Sequence, residues 1–65
     1  MRIQLNGKEK VTEALYLGDL IKELQVSTEG IAVAVGKEII SRSNWDTFSL
    51  NENDEIILIS ATRGG

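Results

Sequence analysis

The residues with the most chemical meaning in this chain are Gly64 and Gly65, which follow a run of strand-forming residues. Two successive glycines have no Cβ and can extend into a channel too narrow for any other residue. At the end of a chain they carry the α-carboxylate on a thin arm. Such a carboxylate ionises with a pKa of about 3.5, so it is an anion at neutral pH. If a second protein supplies ATP, its oxygen can attack the α-phosphorus of the nucleotide. The plain alternative is a loose terminus of small residues.

The remaining side chains offer little reactivity. The sequence has no histidine and no cysteine, which excludes imidazole and thiolate nucleophiles, the usual zinc sites, disulfides and ordinary catalytic triads. Glu9, Glu13, Asp54 and Glu55 fall in strand or turn contexts with no base or metal ligand beside them, and they read as solvated charges. The expectation is therefore a non-enzyme with no catalytic residue, no metal site and no cofactor of its own. Ten acidic against seven basic residues give a net charge of −3, which argues against nucleic-acid binding and suits solubility. No stretch approaches the roughly 20 apolar residues of a membrane span, and no signal peptide is expected before the first strand. With no disulfide framework, a cytoplasmic setting is expected.

Sixty-five residues make one domain, small enough to bury only about 60% of its unfolded surface. Residues 1–5 read as a strand with Ile3 and Leu5 on one face. Asn6-Gly7 then predicts a two-residue type I′ hairpin, because both residues tolerate positive φ. The return strand is expected over 8–14. Leu17, Leu20, Ile21 and Leu24 have the spacing of one helical face. That helix, of about nine residues, cannot hold alone in water and must dock on a sheet. Its start lacks a good N-cap, and Gly18 costs about 1 kcal/mol against alanine.

Residues 31–35 form an apolar run, Gly36-Lys37 breaks it, and 38–40 resume an extended pattern. Residues 41–48, with Trp45 and Phe48, show no clean period and read as an irregular excursion. After the turn cluster at 51–54, residues 55–61 form the most hydrophobic strand. Pairing the first and last strands in parallel at the centre, with the helix as crossover, gives a mixed α+β arrangement. The tail then leaves the sheet from its last strand and reaches at most about 14 Å. If Ile56 and Leu58 face the helix, alternation sends Ile57 and Ile59 outward. Val33 is expected to join them on the outer face, as a candidate partner-binding surface. Cover by a loop, such as the Trp45 excursion, is the competing expectation.

This element order with Gly64-Gly65 resembles the ubiquitin-like β-grasp fold, and within it the ThiS family of sulfur carriers for thiazole (thiamin) biosynthesis. The residues that carry the resemblance are Ile3-Gln4-Leu5-Asn6-Gly7, Leu17-Gly18-Asp19-Leu20-Ile21, Ile31-Ala32-Val33-Ala34-Val35, Arg42-Ser43-Asn44-Trp45, Asn53-Asp54-Glu55-Ile56 and the glycine pair. Three positions depart from the family pattern. Ser41 stands where proline is usual, Asn53 where glycine is usual, and Tyr16 where serine or threonine usually opens the helix.

The resemblance implies a β-grasp domain over 1–61, with four to five strands packed on one helix, and a flexible tail over 62–65. It also implies three partners: a ubiquitin-activating-type adenylating enzyme that uses ATP, a persulfide sulfur donor and a thiazole synthase. Gly65 would be adenylated and converted to a thiocarboxylate, with Gly64 and Arg63 entering the partner's active site. Ordering four tail residues costs roughly 4–8 kcal/mol, so a docking surface on the globular part is expected to offset it. Three alternatives share the features so far described: a molybdopterin-type carrier, a protein modifier joined through Gly65, and an interaction module whose glycines are incidental.

Overall fold

The computed structural model describes residues 1–26 and 29–60. In chain order they form β1 (Arg2–Leu5), β2 (Lys8–Val11), α1 (Leu17–Leu24), β3 (Ile31–Val35), β4 (Glu38–Ile40), a 3-10 helix (Arg42–Thr47) and β5 (Glu55–Ser60). The strands make one mixed sheet in the order β2-β1-β5-β3-β4. β5 enters between β1 and β3, parallel to the first and antiparallel to the second. The sheet edges are the charged β2 and the three-residue β4.

Asn6 and Gly7 take φ values of 51° and 82° at the β1–β2 hairpin, as a type I′ turn requires. β2 is shorter than its alternating pattern predicts. Thr12 is buried and its hydroxyl accepts the Ala14 N–H at 3.0 Å, a local bond that competes with continued strand pairing. The same hydroxyl donates to Glu23 Oε1 at 2.7 Å, while Lys10 Nζ lies 3.5 Å from Glu23 Oε2. Glu23, which is not among the apolar-face positions of α1, therefore ties the helix to the β2 edge of the sheet.

Ile3, Leu17, Leu20, Ile21, Val33 and Ile56 are the largest fully buried side chains, and they lie between α1 and one face of the sheet. The helix has no side-chain N-cap at Tyr16. Its first amide is satisfied from elsewhere: Leu17 N–H donates to the Phe48 carbonyl at 2.9 Å, next to a Tyr16–Ser49 bridge. Backbone from the 48–50 segment thus satisfies one of the helix's orphan amides, the first, which a capping side chain at position 16 would not reach.

Residues 42–47 are a 3-10 helix rather than an irregular excursion. A tight 3-10 turn needs no 3.6-residue periodicity, which is why the sequence pattern hides it. Trp45 is buried and its indole N–H donates to the Ile40 carbonyl at 3.0 Å, so it is a core residue that fastens this segment to the end of β4. Leu50 is also part of the core, and its N–H donates to the Leu15 carbonyl at 2.9 Å.

Gly18 has a steric reason. A Cβ at this position would overlap the Asp46 carboxylate and lie 3.2 Å from the Asp46 Cα, so the glycine lets α1 and the 3-10 helix touch. Gly18→Ala is expected to destabilise the fold by roughly 1–3 kcal/mol, despite alanine's better helix propensity. Urea unfolding measures this, and an unchanged or higher midpoint would refute the close-packing account.

Candidate functional site

Strand alternation on β5 divides its side chains between the two faces of the sheet. Ile56 points into the core, Leu58 packs against the core's margin, and Ile57 and Ile59 are 43% and 52% exposed. The register with β3 then fixes which of its residues share that open face. Ile57 pairs with Ala34 and Ile59 with Ala32, while Val33 pairs with the inward Leu58. Val33 is 1% exposed and belongs to the core. Its expected place on the outer face is corrected, because every residue of Ile31–Val35 is apolar and the run alone cannot reveal its parity.

Another residue occupies the corresponding outer position. Ala34 also pairs with Ile39 of β4, and Ile39 is 71% exposed. Ile57, Ala34 and Ile39 therefore form a cross-strand row over β5, β3 and β4, with Ile59 and Ala32 beside it. Ala32 and Ala34 flank a bulkier Val33, and small residues leave the open face shallow between the isoleucines. On the β1–β2 half, the open face becomes mainly polar, with Gln4 and an exposed Arg2–Glu9 ion pair at 3.0 Å beside Val11. The apolar sector lies on the strand that leads into residues 61–65.

The 3-10 helix and Trp45 pack on the α1 side, so they do not cover Ile57 and Ile59. A depression of about 170 Å³ lies beside Ile57, bounded by Gln4, Gly7, Glu55 and Ile56. Asp54 is occupied by a turn, accepting the Asn51 N–H at 2.8 Å, and Glu9 by Arg2. Among the described residues, no group of three or more acidic side chains is placed to hold a metal, and no helix is long and apolar enough to cross a membrane. Arg63, Gly64 and Gly65 lie outside the described residues, as do the domain–tail boundary and the flexibility expected from Thr62 onward.

The family model that matches this chain is that of the ThiS family, over residues 2–65. Two solved structures share the fold. One is a crystal structure of the thiamine biosynthesis protein ThiS from Geobacter metallireducens, with a TM-score of 0.86, 23% identity and full coverage of both chains. The other is a solution structure of a thiamine biosynthesis protein from the same organism. It has a TM-score of 0.80 and 23% identity, over all of this chain and 88% of that one. No curated protein matches the chain.

The two faces of the sheet should respond differently to substitution. Ile57→Thr and Ile59→Thr, which keep a β-branched side chain, are expected to change stability by no more than about 0.5 kcal/mol. Val33→Ala should cost roughly 1–3 kcal/mol. Equal losses at all three positions in chemical denaturation would contradict the assignment of faces.

Proposed function

The chain belongs to the ThiS family, and on that premise we propose that it is a sulfur carrier for thiamin biosynthesis whose reacting group is the Gly65 carboxylate. The observation that carries this reading is the extent of the family match, which runs to residue 65 and so includes both glycines. The absence of histidine and cysteine agrees with a protein that is acted upon rather than one that catalyses.

In this reading an ATP-dependent adenylating enzyme grips the globular part and takes the tail into its nucleotide site. The carboxylate attacks the α-phosphorus, pyrophosphate leaves, and an acyl-adenylate forms on Gly65. A persulfide sulfur from a donor protein attacks the acyl carbon and expels AMP, leaving an acyl disulfide. A second thiol cleaves its S–S bond and releases the thiocarboxylate, becoming a disulfide itself. That thiocarboxylate gives up its sulfur to a thiazole synthase. Gly64 provides clearance in the channel, and Arg63 anchors the tail against acidic or carbonyl groups. Ile57 and Ile59, with Ile39 in the place expected for Val33, form the gripping surface. An apolar centre with a polar rim is the usual anatomy of such a contact.

The protein has no cysteine, so thiol alkylation reports a thiocarboxylate cleanly. After incubation with host lysate, ATP and a sulfur source, intact-mass analysis should show an ATP-dependent alkylated species that maps to Gly65. A variant lacking Gly64 and Gly65 should show none. Alkylation is essential, because exchange of oxygen for sulfur is nearly isobaric with oxidation of Met1 or Trp45. Linkage of the chain to other proteins without alkylation would favour a modifier, and neither product in a lysate competent for the pathway would sink the carrier reading. Ile57→Asp should lower kcat/KM for adenylation by roughly tenfold or more, as loss of a central apolar contact does, while leaving the fold intact.

A further inference from the structure

Asn6 does two jobs at the point where β1 ends. Its backbone turns into the hairpin at φ 51°, and its side-chain Oδ1 accepts the Leu58 N–H of β5 at 2.9 Å. The register shows what this second bond replaces. The Glu55 carbonyl takes the Gly36 N–H on the β3 side of the strand, whereas the Ile56 carbonyl takes the Asn6 N–H on the β1 side. Backbone groups of residue 58 therefore face β1, like those of residue 56. Had β1 run on as a strand, the Asn6 backbone carbonyl would have met the Leu58 amide. The hairpin begins there instead, and β1 pairs with β5 only through Gln4↔Glu55 and Leu5↔Ile56. Asn6 puts its side-chain carbonyl where its backbone carbonyl would have been.

We propose that Asn6 is a positioning residue for the partner-gripping surface, acting through the Leu58 amide. Leu58 stands between Ile57 and Ile59, so fixing its peptide plane fixes how both isoleucines project from the open face. Without this bond the Leu58 amide loses its partner on the β1 side of the strand. The residue type is narrowly defined. Asparagine and aspartate accept left-handed φ and carry an acceptor one carbon beyond Cβ, whereas glycine keeps the turn but loses the acceptor. The donor is a backbone N–H, so the atom facing it must be the carboxamide oxygen. The bond lies at the surface, where water can replace it, and its loss leaves overall stability nearly unchanged.

This role rests on the carrier reading, and the test separates the two. The full chain is compared with Asn6→Gly and Asn6→Asp. Hydrogen exchange is followed at each amide, and ATP–pyrophosphate exchange is measured with the partner adenylating enzyme. In Asn6→Gly, exchange at Leu58 should quicken by roughly tenfold, with the β3-facing amides of Ile57 and Ile59 unaffected. The KM for the carrier should rise by about three- to tenfold at unchanged kcat. Asn6→Asp, which keeps the oxygen and the turn, should restore both values.

An unchanged Leu58 amide in Asn6→Gly, or a faster one with an unchanged KM, overturns the proposal. So does an equal KM rise in Asn6→Asp, which would implicate the turn and not the acceptor, or a KM rise that merely tracks a lower unfolding midpoint. If the wild-type chain itself supports no pyrophosphate exchange, the carrier reading fails, and the positioning role falls with it. A competent wild type with an indifferent Asn6→Gly overturns the positioning role alone.

Discussion

Among the described residues a single eight-residue α-helix lies against a five-stranded sheet, and that imbalance governs the molecule. A sheet has two faces, and this helix covers one. The residues that gain from burial must therefore alternate along each strand toward α1, as Ile3, Val33, Ile40 and Ile56 do. The opposite face is left to whatever side chains the sequence places there. On β1 and β2 it is largely charged or amide-bearing. On β5, β3 and β4 it carries Ile57, Ala34 and Ile39, an apolar row that α1 does not cover.

The position of β5 follows from the same arrangement. It arrives last in the chain but occupies the middle of the sheet, held by β1 on one side and β3 on the other. Parallel pairing with β1 requires a crossover, and the chain between the two supplies α1, which also forms the core. The strand most firmly built into the sheet thus leads into residues 61–65. Forces on that segment are transmitted to the central strand and not to a frayed edge.

Much of this was legible in the sequence, for reasons that differ by residue. The 17/20/21/24 spacing and the Asn6-Gly7 turn are local patterns with one physical meaning each, and both appear as read. The parity of β5 could be read only as a condition, because Ile56–Ile59 is apolar at every position, and the burial of Ile56 decides it. The parity of β3 was not legible either, since Ile31–Val35 is apolar at every position and only its register with Leu58 and Ile40 assigns Val33 inward. The 3-10 helix stayed hidden because its order comes from the burial of Trp45 in the core and from the Gly18–Asp46 contact, which joins residues far apart in sequence. The departures from the family pattern are also explained only in three dimensions. Asn53 holds φ at 69°, a value asparagine tolerates almost as glycine does. Ser41 sits at φ −67° and ψ 149°, where proline would fit, while Tyr16 gives the helix no side-chain cap and the Phe48 carbonyl takes the Leu17 amide.

The two sheet edges carry a further consequence. β2 presents Lys8, Glu9 and Lys10 along its length, and β4 stops after three residues. An incoming strand of another copy would meet charge on one side and too few rungs on the other, so the backbone offers little template for stacking sheets into fibrils. The molecule can thus keep isoleucines in water and still resist polymerising through its edges.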